Sequence, residues 1–190
     1  KQKLIHYGVK RRIEIVPNGV TDRVFVKNLK PRTLEHNQTL RIVWHSRISA
    51  EKRIMPFLYA LKNVNGKYLL DVYGNGGDFS KAQLYSKKHH LNVKFHGTVE
   101  FKKLSTAIDK AHLDVLVSYN FDTFGNTLIE ADAHGVPVFF CDPDMEEIAA
   151  PGGYVKSNGA DVKSMAEALK DLTAHPERIE KMSAAMLKHR

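Results

Sequence analysis

Short runs of β-branched and aromatic residues punctuate this chain, and they are apolar on both faces instead of alternating with polar residues. The first is Leu40-Arg41-Ile42-Val43-Trp44-His45, and others cover residues 68–73, 93–96, 114–119 and 136–141. Between them lie segments with helical spacing, at residues 54–61, 79–90, 104–111 and 127–134. Strand and helix in alternation, with strands buried on each face, predict an α/β fold: a parallel sheet flanked by helices. Beyond the last run the pattern predicts a short helix at 145–149, an extended piece at 153–155, and helices over 161–173 and 176–188. Gly135 followed by Val136-Pro137 stops one helix, and His175-Pro176-Glu177 opens another with proline in its first turn. The first 40 residues are less regular. Ile13-Glu14-Ile15-Val16 reads as a strand closed by a Pro17-Asn18-Gly19 turn, and residues 27–38 read as a polar loop.

With 190 residues, 43% of them hydrophobic, the chain can bury one sizeable core and is read as a single domain over 1–190. No stretch approaches the roughly 18 to 20 apolar residues of a membrane span, and the first residues lack a signal-peptide run. The sequence starts in mid-pattern without methionine, which suggests a piece of a longer protein. Cys141 stands alone in an apolar run, so no intrachain disulfide is expected, and a reducing, cytoplasmic setting suits it. The formal charge of +8 favours an anionic partner: a phosphorylated ligand, a lipid surface or nucleic acid. Lys87-Lys88-His89-His90 and Lys102-Lys103 are too short to read as a binding stripe. His89, His90 and His96 match no zinc spacing, so no metal is expected.

In open parallel sheets ligands sit beyond the carboxyl ends of the strands, so the loops there carry the chemistry. After the first core strand, Arg47 and Lys52 stand five residues apart at a strand-to-helix junction. A guanidinium fork and an ammonium in that place suit a diphosphate, and a solvated loop is the plain alternative. After the second strand, Gly74-Asn75-Gly76-Gly77 permits a sharp turn without forming a dinucleotide fingerprint. Gly97, followed by Thr98 and Val99, closes the third strand and exposes peptide groups that can read the edge of a base. The most informative segment runs from Asp122 through Phe124-Gly125-Asn126-Thr127 to Glu130. First-turn amides there would point at an anion, Glu130 is placed to accept from ribose hydroxyls, and Asp122 to accept from a sugar. Thr127-Leu128-Ile129-Glu130 also matches a capping box, in which the glutamate serves only the backbone.

Taken together, these loops resemble the C-terminal domain of retaining GT-B glycosyltransferases, in particular family 4 of the sequence-based classification. Ser46-Arg47-Ile48-Ser49-Ala50-Glu51-Lys52-Arg53 resembles the family's G-R-x-x-x-E-K-G loop. Asp71-Val72-Tyr73-Gly74-Asn75-Gly76 resembles its strand and G-x-G, and Val93-Lys94-Phe95-His96-Gly97 its strand before the base-binding backbone. Asp122-Thr123-Phe124-Gly125 through Glu130-Ala131-Asp132-Ala133-His134-Gly135-Val136-Pro137-Val138 resembles the E-x7-E motif with its E-A-x-A-x-G-x-P-V continuation, and Ile15-Val16-Pro17-Asn18-Gly19-Val20 the entrance to the domain.

The resemblance implies a Rossmann-like half of a GT-B fold. Residues 1–20 would form the inter-domain connection and first strand, residues 176–190 the start of the C-terminal helices, and an N-terminal acceptor domain would lie outside this sequence. It implies Arg47, Lys52, Phe124, Gly125, Asn126 and Thr127 on the donor diphosphate; Glu130, Gly74, Gly97, Thr98 and Val99 on the nucleoside; and Asp122 and Glu130 as catalytic residues. The substrate would be a nucleotide diphosphate sugar, by default a UDP-sugar, with no cofactor and no metal. The acceptor would be a glycan, a lipid-linked glycan or a protein, without nucleic acid; the setting expected is cytoplasmic, and the +8 charge is compatible with a peripheral place at an anionic inner membrane face. Two departures stand out: Asp122 replaces the first glutamate, and Arg53 stands where glycine is common. Competing readings are a nucleotide-sugar epimerase or phosphorylase of the same architecture, and a non-catalytic basic binding module.

Overall fold

The computed structural model describes residues 2–14 and 28–189. Strands β1 (Leu40–His45), β2 (Tyr68–Tyr73), β3 (Val93–Gly97), β4 (Leu113–Leu116), β5 (Val138–Phe140) and β6 (Tyr154–Lys156) form one sheet in the order β3-β2-β1-β4-β5-β6, parallel throughout. The helices are α1 (Gln2–His6), α2 (Ile54–Leu61), α3 (Phe79–Lys88), α4 (Phe101–Asp109), α5 (Asn126–Ala133), α6 (Val162–Ala174) and α7 (Glu177–His189), with 3-10 turns at Ala50–Lys52 and Pro143–Glu147. The α/β, Rossmann-like architecture expected from the alternating pattern is the one observed. Of the strand and turn expected at 13–19, residues 15–19 lie outside the described residues, and Ile13 and Glu14 are not in a strand. Residues 28–38 form no helix or strand, as expected of a polar loop.

Element boundaries moved where backbone chemistry intervened. The run at 136–141 pairs only from Val138, because Pro137 has no N–H to give; its carbonyl instead accepts from the Asp114 amide at 2.8 Å. The fourth helix starts at Phe101, three residues early, with extended Glu100 as its N-cap and the Glu100 carbonyl accepting from Lys103 and Leu104. The short helix expected at 145–149 is a 3-10 turn set by Pro143, with the Asp142 carboxylate accepting from the Asp144 amide. Asp161 caps α6 by accepting from both the amide and hydroxyl of Ser164.

Alternation along β1 sends neighbouring side chains to opposite faces of the sheet. Ile42 and Trp44 enter the core shared with α2, α6 and α7, where the Trp44, Phe57 and Phe139 rings stack in series at 6.1 and 5.9 Å. Val43 enters the second core, with Leu116, Leu128, Ala131 and Met145 beneath α4 and α5. Each fully buried side chain of this size contributes roughly 1.5–3 kcal/mol, so the two cores hold the sheet as a rigid floor.

Arg53 shows what replaces the expected glycine. It holds the left-handed conformation (φ 63°, ψ 36°) between the Ala50–Lys52 turn and α2. Its guanidinium donates to the Val117 carbonyl at 3.3 Å and to the Ala160 carbonyl, beside the Tyr119 ring. The side chain therefore ties the residue after β4 to the residue before the α6 N-cap.

Two stability experiments follow from this packing. Arg53→Ala keeps the left-handed strain of about 1–2 kcal/mol and loses the carbonyl contacts, whereas Arg53→Gly loses only the contacts. Denaturant titration should therefore find the alanine variant less stable than the glycine variant by about 1 kcal/mol; equal stabilities would show that the backbone there is unstrained. His112, half-buried between α4 and β4, accepts from the Arg41 amide at 3.0 Å, and burial followed by the charges of Arg32 and Arg41 lowers its pKa to about 4. The unfolded chain binds this proton near pH 6.5 and the folded chain resists it until about 4, so stability falls as pH drops through that window. With solvent screening the loss is about 1–2 kcal/mol, and His112→Gln should flatten it in melts between pH 7 and 4.

Candidate functional site

Strands β1 and β4 lie side by side at the centre of the sheet, and the loops leaving their carboxyl ends border one crevice. From the loop after β1, the 3-10 turn carries Lys52 inward; from the loop after β4 comes Asp122. The Lys52 ammonium meets the Asp122 carboxylate at 2.5 Å, with only 13% and 16% of the side chains exposed. The Ser118 hydroxyl donates to the other Asp122 oxygen, and the Phe121 ring lies 5.4 Å from the Lys52 nitrogen.

Lys52 and Asp122 line a cavity of about 180 Å³ whose remaining wall is Leu116 and Thr123-Phe124-Gly125-Asn126-Thr127. Gly125 is left-handed (φ 57°) and begins α5 where a Cβ would crowd Leu116, Met145 and Leu128. Its conformation aims the first turn of α5 at the cavity, and the first turn of a helix presents amide groups and the positive end of the dipole. The structure thus gathers Lys52, Asp122, Phe124, Gly125, Asn126 and Thr127 around one space.

Arg47 is not brought to that space. Its side chain is 68% exposed, pairs with Glu51 at 3.5 Å, and borders a second cavity of about 280 Å³ with His45, Ser46, Tyr73, Gly74, Asn75, Thr98, Val99 and Leu104. The cause is local: an i,i+4 carboxylate lies within reach of the guanidinium. Thr98 and Val99 do line this more apolar cavity, but Gly97 does not; its left-handed turn (φ 66°) instead lets its carbonyl accept from the Gly74 amide at 2.8 Å. Gly74 is required by packing, since a Cβ there would strike the Ser46 carbonyl oxygen.

Glu130 lies inside α5, and the capping-box alternative is not observed: the N-cap is Gly125, with no side-chain bond to the helix start. The Glu130 carboxylate instead meets His45 Nδ1 at 3.2 Å, while His45 Nε2 meets the fully buried Asp114 at 2.7 Å. Burial opposes charge on the imidazole, but the Asp114 and Glu130 carboxylates outweigh it and carry the His45 pKa up to about 10. Burial lifts the Asp114 carboxyl above its ordinary range, with the charge of His45 and the hydrogen bonds from His45 and the Val115 amide acting against that rise. Neither His45, Asp114 nor Ser118 is conspicuous in the sequence. The available signal was Asp114 itself, an acid within an apolar strand run, which demands a buried cationic partner.

His96 and His89 are engaged in pairwise contacts: His96 with Asp71 at 2.7 Å and stacked on Tyr73 at 4.4 Å, and His89 against Tyr85 at 4.3 Å. Among the described residues no group of three or more histidine, cysteine or acidic side chains is arranged to hold a metal ion.

Comparison with known proteins identifies relatives of this arrangement. The chain is 28% identical over 148 residues to lipopolysaccharide 1,6-galactosyltransferase of Escherichia coli K12, a match covering 75% of this chain and 40% of that protein. The chain therefore matches only part of the length of that relative. Its fold matches the lipopolysaccharide outer core galactosyltransferase WaaB in its apo form (TM-score 0.77, 19% identity, 99% of this chain and 55% of that one). It also matches HepE of Anabaena, solved in complex with UDP and glucose (TM-score 0.66, 15% identity, 80% of this chain and 44% of that one). The glycosyl transferases group 1 family matches residues 26–189. On that match, which takes in all six strands and every helix after α1, the chain belongs to the glycosyl transferases group 1 family, as a domain of the GT-B type.

Proposed function

We propose that this chain binds a nucleotide diphosphate sugar, and that the protein containing it transfers the hexose, with retention at the anomeric carbon, to a glycan, lipid-linked or protein acceptor. The observation that carries this reading is the position of α5. Its first turn walls the Lys52 cavity, and its Glu130 bonds His45, which lines the second cavity. A ligand spanning both spaces would put a diphosphate against Lys52 and the α5 amides, a ribose beside Glu130, and a base among Thr98, Val99 and Tyr73.

The chemistry follows from charge. As the glycosyl bond breaks, negative charge grows on the leaving diphosphate; a partly buried ammonium and fixed amide dipoles stabilise it without reorganising. That arrangement needs no metal. Arg47 reaches the phosphates by leaving Glu51, a surface pair worth about 1 kcal/mol or less. Asp122 serves the sugar: its two oxygens, occupied by Lys52 and Ser118 in the free protein, accept from sugar hydroxyls once Lys52 turns to the diphosphate. UDP is the nucleotide of choice because HepE was solved with it, and galactose is the first sugar to test because the curated relative transfers it. No described helix is long and apolar enough to cross a membrane, and the +8 charge suits work against an anionic membrane face.

Calorimetry against a nucleotide panel, followed by donor turnover with the intact protein, tests the reading. Lys52→Ala should weaken UDP binding about 10- to 100-fold, the range of a charge-assisted contact of roughly 1.5–3 kcal/mol, and Arg47→Ala should weaken it less. Asp122→Asn, which releases Lys52 from its ion pair, should raise UDP affinity and lower donor turnover. This chain alone should bind UDP without transferring sugar. UDP affinity unchanged in both the Lys52 and Glu130 variants would remove the assignment, and binding that collapses with salt yet ignores Glu130 would indicate a non-catalytic basic module.

A further inference from the structure

We infer that His45 is a positioning residue for nucleoside recognition: its Nδ1–H fixes the Glu130 carboxylate beside the cavity that His45 itself lines, before any ligand arrives. The inference rests on reading Glu130 as the ribose acceptor. The geometry for it is a chain of three groups on three elements. Asp114 on β4 is buried completely and accepts from the Val115 amide at 2.7 Å and from His45 Nε2 at 2.7 Å. His45 is the last residue of β1, with 3% of its side chain exposed, and Glu130 on α5 completes the row at 3.2 Å.

Each link has a physical reason. A carboxylate inside a sheet is tolerated only with a partner, and Asp114 has one in His45 Nε2, which leaves Nδ1 as the free polar edge of the ring. That edge faces Glu130, whose carboxylate lies 3.2 Å from Nδ1 in an ion-pair contact. Glu130 retains 28% exposure and, unheld, would sample several rotamers; ordering such a side chain on binding costs on the order of 1 kcal/mol or more. His45 removes that cost in the free protein, which is preorganisation by a supporting bond. The diphosphate contacts of Lys52 and the α5 amides do not pass through His45, so its contribution falls on the nucleoside alone.

The test compares two amide replacements in the full chain. His45→Gln places an amide donor near the Nε2 position and keeps the bond to Asp114; His45→Asn places one near Nδ1 and keeps the bond to Glu130. The readout is the ratio of affinities for UDP and inorganic diphosphate, with melting temperature measured alongside. The Gln variant should lose about tenfold in that ratio while remaining the more stable of the two. The Asn variant should melt lower yet hold the ratio near the parent's. A merely structural His45 reverses this, with the ratio following stability, and that result overturns the inference.

Glu130→Gln separates the two levels of the claim. If it leaves the ratio unchanged, the ribose reading has failed; if it lowers the ratio while His45→Gln does not, His45 has no positioning role. Should both His45 variants fail to fold, nitrogen-15 spectra of the unaltered protein decide. UDP should shift the His45 Nδ1 resonance more than inorganic diphosphate does, and equal shifts overturn the inference.

Discussion

The adjacency of β1 and β4 is the constraint from which the rest of this structure follows. The sheet grows outward from that pair, through β2 and β3 on one side and β5 and β6 on the other. The connections leaving β1 and β4 therefore part company at the carboxyl edge and open a crevice between them. Register does the remainder. Val43 pairs with Asp114, so His45, two residues on, points to the same face as Asp114 and stands over it. Each strand then contributes one partner to each of two charged contacts: His45 with Asp114 at the floor, and Lys52 with Asp122 above it. Both contacts are largely shielded from water, so their attraction is screened far less than that of the exposed Arg47–Glu51 pair.

What the sequence made legible was whatever depends on neighbours in the chain. Runs apolar on both faces announce a parallel sheet because no other common arrangement buries both faces of a strand. Gly125 before an amphipathic segment marks a helix start for the same local reason. Lys52, Asp122 and residues 124–127 were identified from their place at strand-to-helix junctions together with the family resemblance, and the fold gathers them. Long-range pairing was hidden. His45 looks like the polar end of an apolar strand, and only the sheet brings it to an aspartate 69 residues away. Arg47 shows the opposite failure: motif position suggested convergence with Lys52, but a side chain two-thirds exposed goes to the nearest carboxylate, and Glu51 is four residues on.

Backbone conformation, more than side-chain chemistry, shapes the rim of the crevice. Gly74 is packed against the Ser46 carbonyl, and the Ile48 amide donates to the Asn75 carbonyl at 3.0 Å, so the loops after β1 and β2 are fastened to each other through main-chain atoms. That contact explains the glycine without any ligand. Arg53 is the complementary case, a residue with a Cβ in a left-handed turn. The strain is offset by bonds that a glycine lacks, made to the carbonyls of Val117 after β4 and Ala160 before α6. The same φ angle can thus be met by an absent side chain or by a well-anchored one, and a motif that specifies glycine records only the first solution.

The shorter acid at position 122 couples two recognition events that a motif treats as separate. In the free protein the ammonium proposed for the diphosphate is neutralised by the carboxylate proposed for the sugar, and Ser118 occupies that carboxylate's other oxygen. A diphosphate without a sugar must draw Lys52 away and leave Asp122 partly buried with one partner fewer, which costs free energy. A complete donor supplies hydroxyls to Asp122 at the moment its phosphates take Lys52, and the loss is made good. On the proposed reading, the Lys52–Asp122 ion pair discriminates against the product nucleotide and in favour of the intact donor. A glutamate reaching one methylene further would set that balance differently, so the identity of the acid at 122 bears on product release as well as on the sugar.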